Sequence, residues 1–129
     1  MTLTDKIKKS RNGVIDNLYQ GSDKKVLFVC SAGILRSATA ARIYGRKYNT
    51  RSCGTHREFA LIPLSEMLMD WADEIVFVNP VNYDLAGFNF DLVPYMDKIV
   101  VLNIPDEHPH MDPQLIDAFE QQYEVLEKK

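Results

Sequence analysis

The stretch Lys25-Val26-Leu27-Phe28-Val29-Cys30-Ser31-Ala32-Gly33-Ile34-Leu35-Arg36-Ser37 decides how the chain is read. Its first half is a short, continuous apolar run of the kind that fills a strand buried on both faces, and the run ends on a cysteine. A glycine-containing loop follows, and then the small residues Ser37-Ala38-Thr39-Ala40-Ala41, which suit a helix lying close on a sheet. Strand, tight loop and helix in that order aim the loop N–H groups and the positive helix end at one spot, which is an anion site. Cys30 stands on its floor. The thiolate form gains from the same N–H groups, from the helix end and from the Arg36 guanidinium.

Each residue type in the loop has its own task. Arg36 presents a planar fork of donors that holds two phosphoryl oxygens at once, which a lysine point charge does not do. Gly33 takes a positive φ at no steric cost. Ser37 is placed to donate its hydroxyl to the sulfur and so to make Cys30 a better leaving group from a phosphocysteine. The backbone of Ser31, Ala32, Gly33, Ile34, Leu35 and Arg36 supplies the phosphate-binding N–H groups. A cradle of this kind around a nucleophile suits covalent phosphoryl transfer.

Here the chain resembles the low-molecular-weight protein tyrosine phosphatases, whose signature is a Cys-x5-Arg-Ser/Thr loop near the start of a small α/β domain. Three further segments are similar to that family: Arg51-Ser52-Cys53-Gly54-Thr55, Ala72-Asp73-Glu74-Ile75-Val76-Phe77-Val78 and Ile104-Pro105-Asp106. The resemblance covers roughly residues 25 to 126. Ala32-Gly33 stands where family loops carry Gly-Asn, and Asp106 is followed by Glu107-His108 rather than by proline and an aromatic pair. The resemblance implies a four-stranded sheet of order 2-1-3-4 with the phosphate loop after its first strand. It also implies catalysis by Cys30, Arg36 and Asp106 without a cofactor.

Size and composition agree with one domain over residues 1–129, with residues 1–24 as a polar lead-in and 25–126 as the core. The chain has 46% apolar and 26% charged residues. Its net charge of −3 argues against nucleic acid as a partner. The charge is uneven: residues 1–26 hold six Lys/Arg against three acids, whereas residues 103–129 hold seven acids against two Lys. Two cysteines make no disulfide framework, and no apolar run approaches the ~18 residues of a membrane span. The N-terminus lacks the apolar region of a signal peptide, so a cytoplasmic location is expected.

In chain order, Thr4 reads as the N-cap of a short lead-in helix ending near Asn12-Gly13. The segment from Ser37 to about Tyr48 reads as the first crossover helix, and Asn49 to Cys53 as a strand. Leu64, Met67, Leu68, Trp71 and Ala72 have the spacing of a core-facing helix, with Pro63 near its start. Glu74 to Asn79 reads as a buried strand, Pro80 to about Ala86 as a short helix and Gly87-Phe88-Asn89-Phe90 as an irregular turn. Lys98 to Leu102 is the last strand. Pro113 to Leu126 is the last helix, with Ile116, Phe119, Tyr123 and Leu126 on one face. Strands alternating with helices predict a parallel α/β sheet covered on both faces, with ligands at the C-terminal ends of its strands.

Two aspartates compete for the general acid: Asp112, which precedes Pro113 in the manner of an N-cap, and Asp106, on the loop after the last strand. The resemblance selects Asp106. Cys53 reads as a packed strand-end residue, with a redox partnership to Cys30 as the alternative. His56, His108 and His110 have no metal-ligand spacing, so no metal is expected. Phe59, Phe88, Phe90 and Tyr95 either wall an aromatic pocket or fill the core, and Trp71 is structural. The expected function is hydrolysis of phosphomonoesters, on phosphorylated protein or a small substrate, with phosphotyrosine the first candidate and a phosphocysteine intermediate. The alternatives are a phosphate-binding module without turnover and an arsenate reductase.

Overall fold

The computed structural model describes residues 24–31, 33, 35–56, 58, 60–105 and 111–127. The lead-in over residues 1–23 and the individual residues Ala32, Ile34, Phe59, Asp106, His108 and His110 lie outside the described residues. Four strands, β1 (Lys25–Cys30), β2 (Asn49–Gly54), β3 (Glu74–Phe77) and β4 (Ile99–Val101), form one sheet of order β2-β1-β3-β4. All three pairings are parallel. Val26 through Val29 are fully buried because β1 has a partner strand on each edge and helices on each face. This explains why the strand reads as an unbroken apolar run instead of alternating.

Alternate residues of β1 enter different cores. Val26, Phe28 and Cys30 face α1 (Arg36–Ile43) and the C-terminal helix, with Ala40, Ala41, Leu115, Phe119 and Tyr123. Leu27 and Val29 face the other layer, built from α2 (Glu66–Trp71), α3 (Pro80–Asn89) and the 3-10 helix Val93–Lys98, with Cys53, Met69, Phe77, Ala86 and Tyr95. Phe28 is the hub of the first core. Its ring lies 5.9 Å from Tyr44, 6.3 Å from Phe119 and 5.5 Å from Tyr123, mixing stacked and edge-on contacts. The Arg51 guanidinium covers the Trp71 ring at 4.3 Å, and Trp71 packs against the second core.

Several boundaries differ from the sequence expectations. Helix α1 stops at Ile43, ahead of Gly45, and Tyr44 caps it through its N–H to Ala40. Helix α2 begins at Glu66, where the Ser65 side chain accepts from Leu68 N–H at 3.2 Å. Pro63 lies outside it, in a bridge with Gly54. Because Leu64 is not part of this helix, the periodicity counted from it has the wrong phase, and Met69 is buried while Met67 is 82% exposed. Helix α3 continues through Gly87, Phe88 and Asn89 to a cap at Phe90, whose N–H reaches Ala86 at 2.9 Å. A helical glycine costs only about 1 kcal/mol against alanine, and the Asn79 cap with Pro80 in the first turn stabilises the helix from its other end. β3 and β4 are each shorter than read.

The C-terminal helix, α4, runs over Pro113–Phe119, passes through a π turn at Glu120–Glu124 and ends in Val125–Glu127. Its buried face is Leu115, Phe119 and Tyr123, so Leu126 is exposed and Ile116 only half-buried. No helix among the described residues is long and apolar enough to cross a membrane. Replacing the hub should be costly: Phe28→Ala is expected to lower unfolding free energy by about 3–5 kcal/mol, and Phe28→Leu by clearly less. Urea titration followed by circular dichroism measures both.

Candidate active site

β1 delivers Cys30 to the C-terminal edge of the sheet, and the chain then turns sharply at Gly33. There φ is +77°, and a Cβ would stand 2.8 Å from the Cys53 carbonyl carbon and 3.0 Å from Gly54 N. Only glycine meets both conditions. The loop is thereby laid on the end of β2, and Ser52 Oγ donates to the Gly33 carbonyl at 3.3 Å. The chain beyond β2 continues this pairing, with Thr55 N–H on the Cys30 carbonyl at 2.9 Å and His56 N–H on the Ser31 carbonyl at 3.0 Å.

Two groups converge on the sulfur. Gly33 N–H donates to Cys30 Sγ at 3.2 Å, and Ser37 Oγ lies 3.0 Å from it. The thiol is 2% exposed. Helix α1 opens directly on the loop with no side-chain cap and no acid in its first turn, so its amide dipoles point at this end unopposed. Arg36, the first residue of that helix, is 3% exposed. Its Nη1 donates to the Ile104 carbonyl at 2.9 Å and its Nη2 to Ser31 Oγ at 3.2 Å. Leu35, at the outer rim, is exposed.

Asp106 lies beyond the described residues, but the chain on both sides of residues 106–110 is fastened to the site. The Ile104 carbonyl accepts from Arg36, while Met111, with φ 62°, donates its N–H to the buried Thr39 Oγ1 of α1 at 2.8 Å. Asp112 caps α4, its Oδ1 accepting from Gln114 N–H at 3.1 Å.

Cys53 is fully buried, and burial pushes its thiol up, with charge on Cys30 adding to the effect. It pairs in register with Val29, and its side chain enters the core opposite to that of Cys30. That geometry disfavours a disulfide between them and weakens an electron relay of the arsenate-reductase type. Phe88 is 89% exposed and not part of either core, whereas Phe90 and Tyr95 pack in the second core.

The structure adds residues that sequence reasoning passed over. Asn79 caps α3 through Oδ1 and also donates Nδ2 to the Ile104 carbonyl at 3.3 Å. Asn82, 1% exposed, donates Nδ2 to Ser31 Oγ at 3.2 Å and to Thr55 Oγ1 at 3.3 Å. The signal was Asn-Pro-x-Asn directly after the third strand, at the sheet edge where ligands bind.

No protein-family model matches the chain, and no curated protein matches it in sequence. Among solved structures, the YwlE arginine phosphatase from Geobacillus stearothermophilus is similar with TM-score 0.57 at 17% identity, over 82% of this chain and 95% of that one. SP-PTP, a low-molecular-weight protein tyrosine phosphatase from Streptococcus pyogenes, is similar with TM-score 0.52 at 17% identity, over 82% and 87%. The low-molecular-weight protein tyrosine phosphatase from Campylobacter jejuni gives TM-score 0.50 at 20% identity, over 81% and 89%. The chain has the fold of the low-molecular-weight protein tyrosine phosphatases.

Proposed function

We propose that this protein is a cysteine-dependent phosphomonoester hydrolase acting on aryl phosphates, phosphotyrosine in proteins first among them. The observation that carries the reading is the convergence of Gly33 N–H and Ser37 Oγ on Cys30 Sγ, at the end of a buried strand, with the Arg36 guanidinium bonded to the hydroxyl of the next residue, Ser31. Both are groups able to donate to the sulfur, the kind of partner that an attacking or departing sulfur and a neighbouring oxyanion call for.

In the first step the Cys30 thiolate attacks phosphorus, the bond from phosphorus to the ester oxygen breaks, and that oxygen takes the proton of Asp106. The loop N–H groups and the Arg36 fork hold the equatorial oxygens throughout. In the second step the Asp106 carboxylate takes a proton from water, whose oxygen attacks the phosphocysteine. Inorganic phosphate leaves, and Ser37 Oγ donates to the departing sulfur. Cys30 and Asp106 return to their starting protonation states, and each turnover consumes one water, whose oxygen leaves in the inorganic phosphate.

Hydrolysis of p-nitrophenyl phosphate with vanadate inhibition tests the reading, and assays on phosphotyrosine and phosphoarginine sort the substrate bond. A protein that binds vanadate without turnover is instead a phosphate-binding module. Cys30→Ser should abolish turnover and keep vanadate binding, and residual activity above a few per cent would refute the nucleophile. Arg36→Lys should be nearly as damaging, because one ammonium does not reproduce the fork.

The acid is separable from the nucleophile by the leaving group. A general acid contributes ~10²–10⁴-fold when the departing oxygen is basic and little when it is not. Asp106→Asn should therefore slow phenyl phosphate far more than p-nitrophenyl phosphate, and flatten the limb of the pH profile on which the acid loses its proton. Asp112→Asn should do neither, since asparagine caps a helix about as well as aspartate. The opposite pattern would exchange the two assignments. Peroxide should inactivate the enzyme and dithiothreitol restore it to the same extent in Cys53→Ala; failure of recovery in that variant alone would make Cys53 a redox partner.

A further inference from the structure

A buried guanidinium is useful to phosphoryl transfer only if its plane is set before the substrate arrives, because reorienting it afterwards would consume the stabilisation it offers. Arg36 has its two terminal nitrogens on two different acceptors, the Ile104 carbonyl and Ser31 Oγ. Each acceptor takes a second hydrogen bond from an asparagine of the Asn-Pro-x-Asn segment that opens α3. Asn79 Nδ2 reaches the Ile104 carbonyl at 3.3 Å, and Asn82 Nδ2 reaches Ser31 Oγ at 3.2 Å. The two fastenings come from one helical turn, so they move as a unit. Asn82 also holds Thr55 Oγ1 at 3.3 Å, and Thr55 N–H in turn holds the Cys30 carbonyl.

Asn82 bears a cost for this place. It is 1% exposed, and its Oδ1 has no hydrogen-bond partner among the described residues. A buried amide oxygen left unmatched destabilises a fold, and a leucine of similar size would avoid the penalty. What the position supplies is therefore the pair of N–H bonds, on Ser31 and Thr55.

We infer that Asn79 and Asn82 are positioning residues for the proposed phosphoryl transfer, fixing the two acceptors that set the Arg36 guanidinium. This rests on the phosphatase reading. Neither asparagine touches the sulfur, so the effect must pass through Arg36 and the first loop residue.

The experiment compares vanadate affinity and p-nitrophenyl phosphate kinetics in wild type, Asn82→Ala, Asn79→Ser, Ser31→Ala and the Asn82→Ala/Ser31→Ala double variant, each well below its own Tm. Asn79→Ser keeps an oxygen for the helix cap and removes the Nδ2 donor; Ser31→Ala keeps the loop backbone and removes the shared acceptor. The Asn82 and Asn79 variants should each lose roughly tenfold or more in vanadate affinity and in kcat, the scale of one hydrogen bond on a charged group. The double variant should be no worse than the poorer single one, since both changes break the same link. Wild-type vanadate affinity in folded Asn82→Ala, or losses that simply add in the double variant, would overturn the inference and leave the phosphatase reading standing. If Asn82→Ala does not fold, Ser31→Ala alone decides: a tenfold loss supports the link and wild-type affinity overturns it. A wild-type protein that neither hydrolyses the ester nor binds vanadate overturns the phosphatase reading, and this inference with it.

Discussion

β1 is hydrogen-bonded along both edges and covered on both faces, and the rest of the molecule depends on that enclosure. A strand so placed does not slip in register, because a shift of one residue would move Phe28 from an aromatic core into the layer that holds Leu27 and Val29. The sulfur at its end is therefore fixed by packing that begins four residues away, at Val26. The aromatic cluster of Phe28, Tyr44, Phe119 and Tyr123 ties the strand to α1 and α4 at once. The helix that carries Arg36 and the helix that begins at Pro113 are thus both seated on the strand that carries Cys30.

From that fixed end the loop has little freedom. Gly33 must turn left-handed, and it must do so in contact with the backbone of Cys53 and Gly54. The close approach brings the Gly33 N–H onto the sulfur and puts Ser37 within reach from the other side. The α1 N-terminus adds its dipole to the same point. Three individually modest groups, the Gly33 N–H, the Ser37 hydroxyl and the helix end, thus share one direction at the end of β1.

Arg36 is treated differently from a surface arginine. A buried guanidinium needs acceptors for its donors, and here those of Nη1 and Nη2 come from the segment after β4 and from β1's loop. The asparagines of α3 brace both acceptors, so elements from across the sheet meet at one side chain. The C-terminal ends of β1, β2, β3 and β4 each contribute a residue to this network: Ser31, Thr55, Asn79 and Ile104.

The sequence by itself determined the elements whose signals are local. The apolar run of β1, the loop from Cys30 to Arg36 and the small-residue helix after it were legible because each depends on residues adjacent in the chain. Alternation of strands and helices sufficed for a parallel α/β sheet, and resemblance to a known family supplied the order 2-1-3-4 that the structure has. Tertiary structure alone decided the rest. Leu64 lies outside the helix that its spacing predicts it to begin, so Met69 and not Met67 is buried; the phase of a six-residue helix is set by its cap and its sheet, not by six residues of periodicity. Gly87 stays helical because the cap at Asn79 and the packing of Ala86 outweigh its propensity. Cys30 and Cys53 lie on adjacent strands, yet a register of Val29 with Cys53 sends their side chains to opposite faces. Asn82 and Ser31 are 51 residues apart in the chain, and only the closing of the sheet makes them neighbours.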